Sequence, residues 1–413
     1  MSEIRNIDVI IIGGGPAGLA AAVELKKNGI DDILIIEREK HLGGILNQCI
    51  HDGFGLMKFG TTLTGPQYAA RYCGEAEKLD IPVLLNSTVV GLTSGKVVTV
   101  NSPEGHLKYQ AKAIILSMGC RERTRGALGI PGSRPAGIYT AGVAQSLVNL
   151  ENVMVGRKVV ILGSGDIGLI MARRLTLEGA EVIACVEKQP YSSGLPRNLR
   201  QCLDDYGIPL LLQHTVTKIE GKERLEAVTI SKLNAQGEPV RGGSRRVECD
   251  TLILSVGLIP ENELSRMAGL AIDPMTSGPV VDDHCQTSIS GIFACGNVLQ
   301  VHDLVDHVSH EAEIAGRAAA QWIKAGELSA AQIAVEAGPG VRYVLPAKVA
   351  GDQDVEISLR VTEPSRDRRL VVSSEGGQIK KQRFARVNPA EMIRVKLTPE
   401  QMQGTKRLRI ELI

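Results

Sequence analysis

The chain has 413 residues, 43% of them apolar, enough for about two to three domains that each bury a core. With 47 Lys+Arg against 46 Asp+Glu its formal net charge is +1, which argues against nucleic acid or an anionic membrane as the main partner. Eight cysteines (49, 73, 120, 185, 202, 249, 285, 295) lie scattered with no CxxC pair, so neither structural zinc nor an iron–sulfur cluster is expected.

The start, Met1 to Asp8, carries acids and lacks the apolar core of a signal peptide. Val9 to Leu25 is strongly apolar, but its glycines and proline fit a buried strand turning into a helix rather than a membrane span. A cytoplasmic protein is expected. The stretch reads Asp8-Val-Ile-Ile-Ile-Gly13-Gly14-Gly15-Pro16-Ala17-Gly18, then a helical pattern that closes at Gly29 and an apolar run that ends at Glu37. An irregular loop from Leu42 to Leu56 follows, then a helix near 65–79 and short strands at 83–85, 89–92 and 96–100. The run Ala113 to Ser117 ends at Met118-Gly119. The segment from Cys120 to Gly142, with Ile130-Pro131-Gly132, reads as a hinge.

The opening pattern then returns in the same register: Lys158-Val-Val-Ile-Leu-Gly163-Ser164-Gly165-Asp166-Ile167-Gly168, with Gly179 and Glu187 at the matching offsets. Further strands are expected at 209–212, 227–233 and Thr251 to Gly257. A segment Thr287 to Val298, containing Gly296-Asn297, precedes a helix from about Val308 to Lys324. From Glu327 the texture changes to short strands between turns (341–349, 354–361, 370–373, 392–397 and 408–412), an 87-residue tail without cysteine and with 15 Lys+Arg against 11 Asp+Glu. A small β-sandwich that packs, oligomerises or docks another subunit is expected.

Each glycine of the repeated signature has a mechanical reason. The first permits the tight strand-to-helix turn, the second lets backbone approach a pyrophosphate, and the third lets helix and strand pack closely. Phosphates then lie on free N–H groups at the positive end of the helix dipole, and Pro16 at the first helical position costs nothing. The terminal acid accepts from a ribose diol and repels a 2′-phosphate. One such motif is weak. Two with matched strand, helix, glycine stop and acid suggest two nucleotides and electron transfer between them.

Taken together, the two signatures, the Ser117-Met118-Gly119 strand end and Gly296-Asn297 resemble the two-dinucleotide flavoprotein reductases, such as thioredoxin reductase, lipoamide dehydrogenase and NADH oxidases. The resemblance spans 8–324. It implies an α/β protein with two Rossmann-like dinucleotide-binding domains of the ββα type, the second inserted in the first, plus a small C-terminal β-rich domain. The expected boundaries are 1–125 and 258–326 for the two parts of the FAD domain, 126–257 for the hinge and inserted NAD(P) domain, and 327–413 for the tail. Gly13, Gly15, Pro16, Ala17, Gly18 and Glu37 would hold FAD, with Arg38, Gly44, Gln48, Cys49, Val89, Gly119, Gly296, Asn297 and His310 as further contacts. Gly163, Gly165, Asp166, Ile167, Gly168, Glu187 and Gly257 would hold the nicotinamide nucleotide. Glu187 followed by a single lysine, Lys188, favours NAD(H) over NADP. His310-Glu311-Ala312-Glu313 resembles the lipoamide dehydrogenase segment where a helix N-terminus faces the flavin.

Two departures from that family matter. Asn297 stands where an Asp usually bonds the ribityl chain. Leu46 and His51 stand where the disulfide reductases carry paired cysteines, so dithiol chemistry is not expected. A narrower likeness runs through Cys49-Ile-His-Asp-Gly-Phe-Gly-Leu56, Gly163 to Ala172 and Val301-His-Asp-Leu-Val-Asp-His307. These segments resemble FAD/NAD oxidoreductases encoded beside glycerol-3-phosphate dehydrogenase-type flavoproteins. They are also similar to the larger subunits of heteromeric sarcosine oxidase, proline or hydroxyproline dehydrogenase and hydrogen cyanide synthase. The likeness implies an oligomer with a dehydrogenase partner subunit.

Three residue groups have competing readings. Cys49 with His51 is either a flavin-adjacent thiolate of a peroxidase type or a packed thiol. His307 and His310, one helical turn apart, are either metal ligands or polar lining of the flavin pocket; no metal is assigned. Arg121, Arg123 and Arg125 either grip phosphates or form a solvated hinge. The expected function is hydride transfer between NAD(H) and FAD with electrons passing to or from a partner subunit or small acceptor. The alternatives are a Cys49 thiol-redox enzyme and a non-catalytic nucleotide-binding subunit.

Overall fold

The computed structural model describes residues 4–413. They divide into two units: the chain up to Cys120 together with Pro260–Ile413, and Arg121–Ile259 between them. Both units carry a parallel sheet whose central strands are buried on both faces. That is why their sequences read as continuous Val/Ile/Leu runs rather than alternating ones.

In the first unit β1 (Ile4–Ile12) leads through a glycine turn into α1 (Pro16–Lys27) and then β2 (Ile33–Ile36). The strand β3 (Gly105–Leu116) lies on the other side of β1, parallel to it, with Val9 opposite both Ile33 and Ala113. Strands 97–102 and 88–92 extend the sheet beyond β3 as an antiparallel meander.

The second unit repeats the plan. β4 (Lys158–Leu162), α2 (Asp166–Leu177) and β5 (Glu181–Glu187) are followed by β6 (Thr251–Leu254), and β4 lies between β5 and β6. Strands Leu210–Leu212 and Ile138–Thr140 close the two edges of this five-stranded parallel sheet. A separate antiparallel three-stranded sheet is formed by 214–221, 225–233 and 239–248.

Back in the first unit, the chain rejoins its sheet at β7 (Ile292–Ala294), which pairs in parallel with the end of β3, Ile292 opposite Ile114. One edge of β3 is thus shared between the meander and the returning strand, and this brings Cys295 N–H to the Leu116 carbonyl at 3.1 Å. Next comes α3 (Val305–Ala325), packed on α1 through small residues. The closest approach is at Gly316, where a Cβ would lie 2.8 Å from the Ala21 carbonyl oxygen.

The tail forms a five-stranded and a three-stranded sheet around one core, including Ile357, Leu359, Leu397, Leu408 and Ile410. The α/β fold with a C-terminal β-rich part is as expected from the sequence. The helix α3 begins three residues before the expected 308, at Val305. Its Asp306 carboxylate reaches back to accept from the backbone N–H groups of Gly55 (3.2 Å) and Lys58 (3.1 Å), which fixes the irregular loop of the first unit.

Candidate dinucleotide sites

In the first unit the turn is built from Gly13, held at φ +107 with its N–H on the Ile36 carbonyl at 2.9 Å. A Cβ there would lie 2.6 Å from the Ser117 carbonyl oxygen, and one at Gly18 would lie 1.9 Å from the Gly13 carbonyl oxygen. Strand geometry and helix packing therefore demand both glycines. Gly15 is different. Its φ is −76, open to any residue, and a Cβ would meet nothing closer than Gly44 Cα at 3.9 Å. The protein keeps this space clear without needing it for its own packing. Gly15 is also the N-cap of α1 and offers no side-chain acceptor to the first-turn N–H groups. Room, free donors and dipole fit a pyrophosphate.

Several expected contacts converge on this turn. Gly44 (φ +55) would place a Cβ 3.0 Å from Gly15 Cα, and Gly296 (φ +75) would place one 2.8 Å from Ala17 Cβ. Glu37, 5% exposed, accepts from Gly14 N–H at 2.6 Å and from Glu39 N–H at 2.8 Å, so the acid expected at the ribose also clamps the turn. Gly119, at φ +71, has open space around a would-be Cβ. Its carbonyl accepts from Glu261 N–H at 3.0 Å.

Other assigned residues lie elsewhere. Arg38 turns to Glu39 (3.6 Å). Val89 packs into the core on the sheet face opposite α1, with Ile10, Ile12 and Ile36. Gln48 is buried at the end of the short 3₁₀ turn Gly44–Gln48. His310 lies in the second turn of α3, its Nε2 3.8 Å from Glu356 Oε1 of the tail. Burial holds its pKa below the ordinary histidine value.

Cys49 donates to the Ile45 carbonyl at 3.3 Å, and burial pushes its thiol up to about 12. That opposes the thiolate a peroxidatic cysteine requires. His51 stacks obliquely on Phe54, ring centroids 5.0 Å apart.

The second unit repeats the backbone contacts of the first turn. Gly163 (φ +96) donates to the Val186 carbonyl at 2.7 Å, and its Cβ would lie 2.0 Å from the Ser255 carbonyl oxygen. Gly168 would meet Ser255 Cβ at 2.6 Å, whereas Gly165, the N-cap of α2, would meet nothing closer than the Ser255 hydroxyl at 3.1 Å. Glu187 repeats Glu37: it accepts from Ser164 N–H (3.0 Å), Ser164 Oγ (2.5 Å) and Gln189 N–H (2.9 Å). Ile167 packs against this unit's core, and Gly257, at φ +102, has open space beside it.

Asp166, assigned to the nucleotide, has its Oδ1 on Leu195 N–H (2.8 Å) and Asn198 Nδ2 (2.6 Å). It anchors a segment that sequence reasoning missed, Ser192-Ser193-Gly194-Leu195. This segment folds onto the turn through Ser193 N–H to Ser164 Oγ at 2.9 Å. The available signal was a run of turn residues ahead of Pro196, which opens the next helix. Ser117 and Ser255 were also missed as a pair, although Leu-Ser-Met-Gly and Leu-Ser-Val-Gly repeat in the sequence. Ser117 Oγ donates to the carbonyls of Ile12 (2.9 Å) and Gly13 (3.0 Å), and Ser255 Oγ accepts from Gly168 N–H (3.1 Å). Arg125 donates to the carbonyls of Ile130 (3.3 Å) and Gly132 (3.2 Å), which gives that hinge arginine a structural task. Among the described residues no group of three or more His, Cys, Asp or Glu side chains is placed to hold a metal, and no helix is long and apolar enough to cross a membrane.

Twin glycine turns with acid clamps define a protein of the dinucleotide-binding oxidoreductase class. Residues 7–348 match the model of the pyridine nucleotide-disulphide oxidoreductase family, and the chain belongs to that family of FAD- and NAD(P)-using flavoproteins. Among its relatives, hydrogen cyanide synthase subunit HcnB of Pseudomonas protegens is 29% identical over 64% of this chain and 59% of that protein. One of the subunits of opine oxidase from Agrobacterium tumefaciens is 24% identical over 76% of this chain and 64% of that protein. The chain thus spans about three fifths of the length of these relatives. In solved structures, thioredoxin reductase of T. acidophilum shares the fold with a TM-score of 0.63 at 22% identity, over 77% of this chain and 98% of that one. L-proline dehydrogenase of P. horikoshii shares it at 0.52 and 21% identity, over 76% of this chain and 56% of that one.

Proposed function

We propose that this protein is an FAD-dependent oxidoreductase that moves hydride between NAD(H) and FAD and exchanges electrons with a partner dehydrogenase subunit. The observation that carries the reading is the cleared space over Gly15 at a capless helix N-terminus, repeated in outline at Gly165. Gly13, Gly15, Gly18, Gly44, Gly296 and Asn297 would hold FAD, and Gly163, Gly165, Gly168 and Glu187 the nicotinamide nucleotide. FAD supplies the hydride-accepting chemistry when bound, so the chain has only to bind, orient and exclude water. Glu187 disfavours a 2′-phosphate, which supports NAD(H) over NADP(H).

No paired cysteines stand in the Gly44 loop, and the unit 121–259 holds only Cys185, Cys202 and Cys249, of which burial pushes Cys185 up to about 12 and Cys202 and Cys249 up to about 11. A dithiol route therefore has no support. Two relatives are named as subunits, of hydrogen cyanide synthase and of opine oxidase, which supports a heteromeric role here. Anaerobic mixing with NADH tests the core of the reading: bleaching of the flavin's visible band is expected. An unbleached, flavin-loaded protein overturns it. Gentle purification from the native cell tests the partner, with a co-eluting amine, amino-acid or glycerophosphate dehydrogenase expected.

A further inference from the structure

The positive charge of the tail is gathered in one hairpin. Its strands, Ser365–Ser374 and Gly377–Val387, are antiparallel neighbours, and the second is the end strand of the five-stranded sheet. Among the described residues no strand pairs with its outer edge, so a row of backbone N–H and C=O groups about 35 Å long stands open. Residues 365–387 hold seven of the chain's 47 Lys+Arg and two of its 46 Asp+Glu, so the remainder of the chain is net acidic.

Little inside the protein answers this charge. Arg383 pairs with Asp367 at 3.2 Å, and Lys380 donates to the Lys396 carbonyl at 2.6 Å. Arg366, Arg368, Arg369, Lys381 and Arg386 are exposed and have no ion-pair partner among the described residues. Strand pairing sets Arg366 directly opposite Arg386 and Arg369 opposite Arg383, like charges that destabilise a sheet. Charge is a common guard for an open edge. A guard does not call for arginine facing arginine twice, so the cost points to an anion that arrives from outside.

A cavity of about 200 Å³ lies at the end of this strand. Phe384, Val387 and Met392 line it, Arg386 and Arg394 add cations, and Glu391 is the one acid on its wall. A cavity of about 150 Å³ can hold a benzene ring, so this one has room for an aromatic side chain.

We propose that the 377–387 edge is a docking site for an extended acidic segment of another protein, which adds as a strand and seats an aromatic side chain in the cavity. Backbone hydrogen bonds give affinity, the arginines select the sign of the charge, and the cavity fixes the register. A second copy of this chain does not fit, because it brings the same cations to the edge. A bilayer or a nucleic acid also meets the net-acidic remainder of the chain, whereas a strand engages the hairpin alone. The proposal goes beyond the function above and does not rest on it.

The test uses full-length protein and a fluorescent peptide of about ten residues, alternating glutamate and valine around one central phenylalanine. Saturable binding is expected, with amide exchange slowed in 377–387. Arg386→Glu should weaken it about tenfold or more. That change sets an acid opposite Arg366, so the thermal midpoint should be equal or higher, which separates lost recognition from lost fold. No saturable binding, slowed exchange elsewhere only, or equal affinity in Arg386→Glu overturns the site. Replacing the peptide's phenylalanine by alanine should cost about tenfold; unchanged affinity overturns the cavity's part. Prolines in the peptide should abolish binding, and a proline peptide that binds equally overturns strand addition. Tighter binding of a DNA duplex or of phosphatidylserine vesicles at the same ionic strength overturns the protein partner.

Discussion

The two glycine turns share a skeleton and differ in what covers them. In the first unit the middle residue is Gly14, where a Cβ would lie 2.4 Å from Leu42 Cδ2, so the 42–48 loop packs directly on the turn. In the second it is Ser164, whose hydroxyl reaches both Glu187 (2.5 Å) and Ser193 N–H (2.9 Å). One cover is held by close packing, the other by hydroxyls. The backbone rule is therefore general, while the middle position is set by whichever segment folds over it. A Gly-x-Gly pattern alone does not disclose that segment.

The comparison breaks most visibly at the first glycines. Gly163→Ala forces a methyl against the Ser255 carbonyl at positive φ and should cost about 3 kcal/mol or more. The sole tryptophan, Trp322, belongs to the first unit, so its fluorescence should stay native while the 121–259 segment becomes protease-sensitive. Gly15→Ala is the counterpart. Its methyl meets only Gly44 Cα, at an unstrained 3.9 Å, so unfolding should be unchanged within about 0.5 kcal/mol while FAD affinity falls about a hundredfold. If Gly15→Ala instead unfolds the protein and retains FAD, the cleared space is structural.

His307 offers a smaller, pH-dependent effect. Burial and then Arg394 lower its pKa to about 4 from an ordinary value near 6.5. In the unfolded chain it takes up a proton below about 6.5, and in the folded chain only near 4, so stability falls as pH drops through that window and levels off below it. With solvent screening the loss is on the order of 1–2 kcal/mol. His307→Leu should flatten this part of the acid limb in denaturant titrations between those pH values. Ser164→Ala should cost about 1 kcal/mol, since it removes a hydrogen bond to a carboxylate that keeps other partners and one to the Ser193 backbone N–H. Its counterpart change, Gly14→Ser, should not mimic the second unit, because Leu42 occupies the space.

Much of the fold was legible because it rests on local periodicity: buried parallel strands as apolar runs, helices closed by Gly29 and Gly179, and acids at fixed offsets. What escaped depends on pairing across long separations. Nothing near Asp306 announces that it holds Gly55 and Lys58, and nothing near His310 announces Glu356. Asp166 shows the same limit within a motif. At the first position of α2 an acid suits the helix dipole and here reaches sideways to Leu195 and Asn198, so the spacing located the residue without disclosing its partner.

The smallest expected effect concerns Cys49. The thiol-redox alternative needs a thiolate, and a thiolate needs a nearby cation, a helix N-terminus or exposure. Cys49 instead follows the last residue of a five-residue 3₁₀ turn and donates to a carbonyl, with burial pushing its thiol up to about 12. A cation would have to lower that value by roughly five pH units, about 7 kcal/mol of differential stabilisation, before the thiolate dominated near neutrality. Cys49→Ser replaces sulfur by a hydroxyl that can make the same donation to Ile45. NADH-dependent acceptor turnover should therefore stay within about twofold of the unmodified protein, and sulfenic-acid trapping should not label position 49. A loss of a hundredfold or more with flavin still bound would instead make the thiol part of the chemistry, and the two glycine turns would then be serving a peroxidase-type enzyme.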